Sequence, residues 1–287
     1  MASMRDIKRR RNSIASTQQI TKAMKLVSTV KLQKTKARAE RSKPYFDKMY
    51  EVVTSMLAKS GTIEHPYLKP QASAKKAVVL ITSNRGLAGG YNSNVIKLIT
   101  GSDMKREDLL LFTVGNKGKE YFSRRDYTIA KEYPEVIENP MLADAREICA
   151  EVLELYAKGE VGEIYVAYTY FKNTVVHEPT LLKLLPVEVD PSDIEAARSN
   201  SLMNYEPKEE EALDLIIPKY ITSILYGALV ESVASENGAR MQAMDSATSN
   251  ADEMIDKLTL QYNRARQGSI TQELTEIIAG ANATNER

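Results

Sequence analysis

No proline occurs in the first 43 residues or in the last 69; all ten lie between Pro44 and Pro218. Proline inside a helix removes a hydrogen bond and clashes with the preceding turn, costing about 3 kcal/mol or more. Its absence therefore leaves room at both ends for long, unbroken helices. Cysteine is nearly absent too. Cys149 stands alone, which excludes an internal disulfide framework and fits a reducing compartment. It falls in the periodic run Met141, Ala145, Ile148, Val152, Leu155, where a buried helix thiol is expected. The two histidines, His65 and His177, have no partner at metal-ligand spacing, and one cysteine cannot complete a zinc site. There is no nucleophile elbow, no histidine–carboxylate pair and no carboxylate dyad on one face, so the sequence offers no catalytic constellation. No apolar run approaches the roughly 20 residues that cross a bilayer. The Arg- and Ser-rich start lacks the apolar core of a secretory signal and reads as mature sequence.

What is present is uneven. The net charge of +1 hides thirteen basic against two acidic residues in 1–43, a balance of +11. Residues 206–287 carry seven basic and fourteen acidic residues, a balance of −7. Two such segments attract if they lie side by side, although solvent screens most of the effect. Ser3 and Asp6 form a capping signal, and Ile7, Ile14, Ile20, Met24, Val27 and Lys31 mark a thin stripe on the helix that follows. That stripe suits a helix gripped by one partner helix and by other proteins. Beyond Pro44 it strengthens at Phe46, Met49, Val53, Met56 and Leu57, and the helix should end before Gly61. The basic end lacks aromatic residues through position 44, so it has no stacking platform for nucleic acid. A solvated face, or one turned toward an acidic protein, fits better, and the stripe is too thin for a membrane surface.

The middle changes period. Ala77–Thr82, Leu109–Val114 and Glu163–Thr169 are continuous apolar runs, the mark of strands buried on both faces. Helical patterns near 92–100, 116–124 and 141–158 alternate with them, the last capped by Gly159. The expectation is a Rossmann-like α/β domain with a mostly parallel sheet. Residues 181–189 add an edge strand because of Pro186, and 190–204 read as a polar loop. Pro207 opens a second long helix with Glu209, Glu210 and Glu211 in its first turn, and Pro218 should kink it. From Met241 the spacing alternates 3 and 4: Met244, Thr248, Ala251, Ile255, Leu258, Tyr262, Ala265, Ser269. This 3.5-residue repeat is that of a left-handed coiled coil. At 1.5 Å per residue the helix from Lys219 to Ala283 would run on the order of 100 Å. Residues 1–60 are its natural antiparallel partner, leaving 61–204 as the α/β base and 205–287 as the second shaft helix.

The loop Ser83-Asn-Arg-Gly-Leu-Ala-Gly-Gly-Tyr-Asn92 follows a strand and precedes a helix, where glycine-rich loops can cradle phosphate. It lacks the spacing of both known phosphate-loop patterns and reads as a tight turn or a protein-docking loop.

Three segments together resemble the gamma subunits, the central rotor shafts, of bacterial F-type ATP synthases. They are Ile20-Thr-Lys-Ala-Met-Lys-Leu-Val-Ser28, the Ser83–Asn92 loop, and Arg264-Ala-Arg-Gln-Gly-Ser-Ile-Thr-Gln-Glu-Leu-Thr-Glu-Ile-Ile-Ala-Gly-Ala281. The last matches the family pattern I-T-x-E-x-x-[DE]-x-x-x-G-A. The resemblance covers nearly the whole chain and implies an antiparallel coiled coil of the two ends beside an α/β base. It implies a non-catalytic, peripheral subunit at the cytoplasmic face of the cell membrane, with no cofactor. Its partners would be the alpha and beta subunits of the catalytic hexamer, the epsilon subunit and the membrane c ring. It would pass torque between proton flow and ATP synthesis while beta subunits do the chemistry.

Carried over by position, Lys22, Met24, Lys25, Arg266, Gln267 and Thr271 match beta-subunit contacts. Arg85, Gly86, Gly89 and Gly90 match a docking loop, and Tyr205 and Glu206 match the foot on the c ring. Ile270, Leu274, Ile277 and Ile278 match the bearing tip, or equally an ordinary coiled-coil seam. The run Lys8, Arg9, Arg10, Arg11 is denser in charge than the family leads one to expect; Arg9, Arg10 and Arg11 would latch onto acidic beta-subunit loops and resist ATP-driven rotation. Gly238 and Gly268 stand where the family commonly has alanine, each costing about 1 kcal/mol of helix stability. No cysteine lies in 190–207, so the thiol switch of the chloroplast version is absent. The competing reading is a coiled-coil adaptor whose α/β domain binds a nucleotide or peptide; a nucleic-acid-binding helical arm is a third.

Overall fold

The structure is a computed structural model and describes residues 3–59, 65–69, 71–188 and 209–285. The expected foot residues Tyr205 and Glu206, the loop 190–204 and Pro207 lie outside the described residues. Helix α1 spans Met4–Lys59 and strand β1 Lys76–Ile81. They are followed by α2 (Tyr91–Thr100), β2 (Leu109–Val114), α3 (Asn116–Ser123), β3 (Thr128–Tyr133) and α4 (Leu142–Ala157). β4 (Glu163–Phe171), β5 (His177–Leu185) and α5 (Glu209–Asn285) complete the order. The chain divides into two compact units: Ser28–Arg240, and Met1–Val27 together with Met241–Arg287.

In the unit Ser28–Arg240 the strand order is β3-β2-β1-β4-β5. The first three contacts are parallel, with Val79 opposite both Phe112 and Val166, and β5 runs antiparallel to β4. Central β1 is buried from Ala77 through Ile81, so the uninterrupted apolar run reflects cover on both faces. On one face Val79, Ile81, Phe112, Val114 and Val166 meet Ile148, Val152 and Tyr156 of α4. The same core takes Val53 and Met56 from α1 and Leu213, Ile217, Ile221 and Leu225 from α5. On the other face Val78, Leu80 and Leu111 meet Val95 and Ile99 of α2 and Phe122 of α3. Each fully buried side chain of this size contributes about 1.5–3 kcal/mol relative to exposure.

Gly159 ends α4 at φ 71°, with its N–H on the Tyr156 carbonyl and the Glu160 N–H on that of Leu155. A side chain there would sit in the strained left-handed region, which is why the expected cap is glycine. Strand β3 was not expected. It is an edge strand whose residues alternate with solvent, and Lys131 and Glu132 conceal its apolar face. The edge strand anticipated at 181–189 is β5, which starts earlier at His177 and accommodates Pro179 because its outer side is unpaired. Helix α5 continues through Pro218, whose carbonyl accepts from Thr222 Oγ1 at 2.7 Å and from Cys149 Sγ at 3.6 Å. Cys149 is buried, and burial pushes its thiol up to about 11. Contrary to the expectation from apolar run lengths, α5 holds an 18-residue window apolar enough to cross a membrane, but 56% of that window is buried within the chain.

Candidate functional site

In the unit formed by the chain ends, α1 and α5 lie antiparallel. Arg11 stacks over the Tyr262 ring at 5.7 Å, Gln18 donates to Asp252, Thr21 and Thr248 share a 2.8 Å hydroxyl contact, and Lys25 pairs with Asp245 at 2.5 Å. As the α1 number rises from 11 to 25 the partner number falls from 262 to 245, which fixes the direction. Every α5 position named for the seam is at least partly buried, with Met244, Ala251 and Leu258 the most enclosed. The α1 seam differs from its expected stripe. Ile7, Arg11, Ile14, Gln18, Thr21 and Lys25 face inward at intervals of 4 and 3, whereas Ile20 and Val27 are each 58% exposed. Polar residues hold the inner face because each has a matching group on α5, and this turns Ile20, Leu26 and Val27 outward.

Of the expected beta-contact residues, Lys22, Arg266, Gln267 and Thr271 are exposed, Met24 is half-buried, and Lys25 is engaged with Asp245. The Thr271 hydroxyl donates to the Gln267 carbonyl at 2.9 Å. Arg9 and Arg10 are exposed, Arg9 reaching Asp6 at 3.4 Å, while Arg11 is turned into the seam. Helix α1 begins at Met4, so with Arg11 opposite Tyr262 it runs out near Ser269. Beyond that point, among the described residues, α5 has no α1 residue to pair with. Ile270, Leu274, Ile277 and Ile278 share one face there and are 48–67% exposed.

The docking loop is built in the other unit. Ser83 N donates to Asn92 Oδ1 at 2.9 Å, its hydroxyl to the Arg85 carbonyl at 2.7 Å, and Asn84 reaches the Pro134 carbonyl at 2.7 Å. This network presents Arg85, Gly86, Gly89 and Gly90 to solvent, together with Leu87, which is 65% exposed at φ 64°. A non-glycine residue at that φ is uncommon. Arg240 of α5 pairs with Glu236 at 2.6 Å and donates to the Gly86 carbonyl at 3.4 Å.

Neither Leu87 nor the Glu236–Arg240 pair was expected to matter. The sequence did hold a signal: Glu231 and Glu236 are the only charges between Tyr220 and Ala239. Burial raises both carboxyls, Glu231 to about 7 against the pull of Lys43, and Glu236 against that of Arg240. The two glycines also differ. A methyl group on Gly238 would overlap Nε2 of His177, whereas one on Gly268 would meet open space.

In sheets of this topology ligands bind beyond the carboxyl ends of the strands where the order reverses, here between β1 and β4. Helix α5 already occupies that place. β1 stops at Ile81, leaving the edge of β4 at Thr169 unpaired, and Ser232 accepts from Thr169 N at 3.4 Å while Ser235 donates to its carbonyl at 3.2 Å. Among the described residues no group of three or more metal-ligating side chains comes together.

The arrangement is therefore a paired shaft with one bare end, and comparison with known proteins agrees. The family model described as ATP synthase matches residues 3–284. An ATP synthase gamma chain of Lachnoclostridium phytofermentans is 65% identical over 99% of this chain and 100% of its own length. The chain belongs to the ATP synthase gamma-chain family. A gamma chain named as sodium ion specific, from Acetobacterium woodii, is 43% identical over 98% of this chain and 99% of its own. The central stalk of the Tetrahymena thermophila mitochondrial ATP synthase, solved with its c ring, superposes at TM-score 0.60 and 26% identity, covering 79% of this chain and 99% of that one. A chain of the Euglena gracilis mitochondrial enzyme shares the fold at TM-score 0.68 and 18% identity, over 98% and 94% of the two chains. In this family the chain is the non-catalytic central stalk of a membrane-associated F-type ATP synthase, and catalysis lies on the beta subunits.

Proposed function

We propose that this chain transmits torque as the rotor of a proton-translocating ATP synthase at the cytoplasmic face of the cell membrane. The stretches 1–60 and 205–287 bear the torque, and 61–204 forms the base that meets the epsilon subunit and, with Tyr205 and Glu206, the c ring. The observation that carries the reading is the bare end of α5. Four large apolar side chains exposed on one face, past the point where α1 runs out, suit a helix enclosed by other subunits. Lys22, Met24, Arg266, Gln267 and Thr271 meet beta subunits in this reading, and Arg85 to Gly90 form a second contact. Arg9 and Arg10 present exposed cationic heads to acidic beta-subunit loops, Arg9 from its exposed pair with Asp6, whereas Arg11 adds to the latch mainly by holding the seam. A rotor touches each beta subunit in turn and biases its open and closed states by differential contact, so it needs no active site.

The test is cross-linking in the assembled complex. A photo-reactive cysteine adduct at Gln267→Cys should attach to beta subunits, and its product should arrest ATP hydrolysis. Attachment only to membrane lipid, or none together with normal activity, would contradict the assignment. Neutralising Arg9 and Arg10 should raise ATP hydrolysis relative to synthesis; an unchanged ratio removes the latch.

A further inference from the structure

Helix α5 touches the sheet end of the α/β unit at four successive points. Ser232 and Ser235 bond the Thr169 backbone, the Gly238 backbone faces the His177 ring, and Arg240 reaches the Gly86 carbonyl. The third point depends on shape. Glycine in a helix interior costs about 1 kcal/mol relative to alanine, so its presence at 238 needs a compensating contact. The His177 ring is that contact: it fills the notch so closely that a methyl group at Gly238 would overlap Nε2 and stand 3.1 Å from Cε1. Phe171 packs near the ring at a centroid distance of 6.0 Å, and Nε2 is buried without a hydrogen-bond partner among the described residues. Burial lowers the ring's pKa, so at neutral pH it sits in the notch as an uncharged wedge.

We propose that His177 and Gly238 form a knob-and-notch lock that positions α5 on the β4–β5 hairpin and carries torque between the helix and the α/β body. A helix on a smooth apolar bed can slide or turn with little resistance, because burial is non-directional. A ring set into a notch opposes both movements, and the serine and arginine contacts on either side fix the register. The role rests on the rotor reading, but it can fail alone.

The test uses the assembled complex in inverted membrane vesicles, measuring ATP hydrolysis and ATP-driven ion pumping on one sample. Gly238→Ala pushes the ring out of its seat and should lower ions pumped per ATP by roughly threefold while hydrolysis persists. Adding His177→Ala to that variant removes the clash and should restore assembly, while the ratio stays at the lowered value of His177→Ala alone, because the knob is gone. His177→Ala alone, which adds no bulk, should lower it as well. If Gly238→Ala prevents assembly, the single His177→Ala variant decides. A wild-type ratio in Gly238→Ala, in His177→Ala alone or in the double variant overturns the lock. Absence of pumping by the unaltered complex would instead count against the rotor reading itself.

Discussion

Helices α1 and α5 face each other's chemistry in two ways along their length. Within residues 28–240, Val53 and Met56 of α1 and Leu213, Ile217 and Leu225 of α5 join a dry core. In the terminal unit the facing positions are Arg11, Gln18, Thr21 and Lys25 against Tyr262, Asp252, Thr248 and Asp245. The first arrangement buys stability through burial. The second gives little, since the Lys25–Asp245 pair is 39% and 57% exposed and such pairs contribute about 0–1 kcal/mol. What matched polar pairs do supply is register, because a slipped pairing would leave them unmatched. The lesson is that one stretch of the helices is held by amount of contact and the other by its pattern.

The sharpest way to break this contrast is Phe112→Ala. It removes a 2%-exposed ring from the core and should cost about 3–5 kcal/mol, measured by urea unfolding of the chain. If the loss is no larger than that from Thr21→Ala, the contrast fails. Truncation after Gly268 should leave the melting temperature of the α/β unit unchanged, yet sharply reduce coupled turnover in the assembled complex. Equal turnover would show that the bare apolar end carries nothing.

A third test uses pH. Glu231 has a carboxyl raised to about 7 from an ordinary 4.5, so the folded chain binds its proton more tightly than the unfolded chain. Its stabilising contribution is full below pH 4.5 and is lost as pH rises toward 7. Glu231→Gln should flatten that fall, giving a variant more stable than the parent above pH 7 in chemical denaturation at fixed ionic strength. A parallel pH profile would mean that Glu231 is solvated. The smallest effect is expected for Lys25→Ala, under about 1 kcal/mol and further reduced by salt. A larger, salt-independent loss would show that the polar seam stabilises as well as aligns.

Much of this was legible beforehand, for identifiable reasons. The 3-and-4 spacing from Met241 to Ser269 gave the α5 seam because its apolar and small residues share one stripe. The runs at 77–82 and 109–114 announced strands because both faces are buried. The α1 seam was misread because hydrophobicity was the guide where hydrogen-bond matching decides, so Ile20 and Val27 were placed inside and Thr21 was not. Strand β3 escaped because only part of it is covered. Gly238 looked like a weakness until His177, distant in sequence, filled it. At the site, the exposure of the four tip residues follows from where α1 begins, which the position of the first capping signal already implied, whereas Arg266 and Gln267 are exposed because they lie off the stripe of Tyr262, Ala265 and Ser269.

The central claim is that the chain turns as one shaft inside its complex. The most direct measurement fixes the alpha–beta hexamer to a surface, attaches a bead through a cysteine at Val175, which is 71% exposed, and adds ATP. Sustained rotation in one direction is the predicted result. A bead that stays still while ATP is being hydrolysed would contradict it.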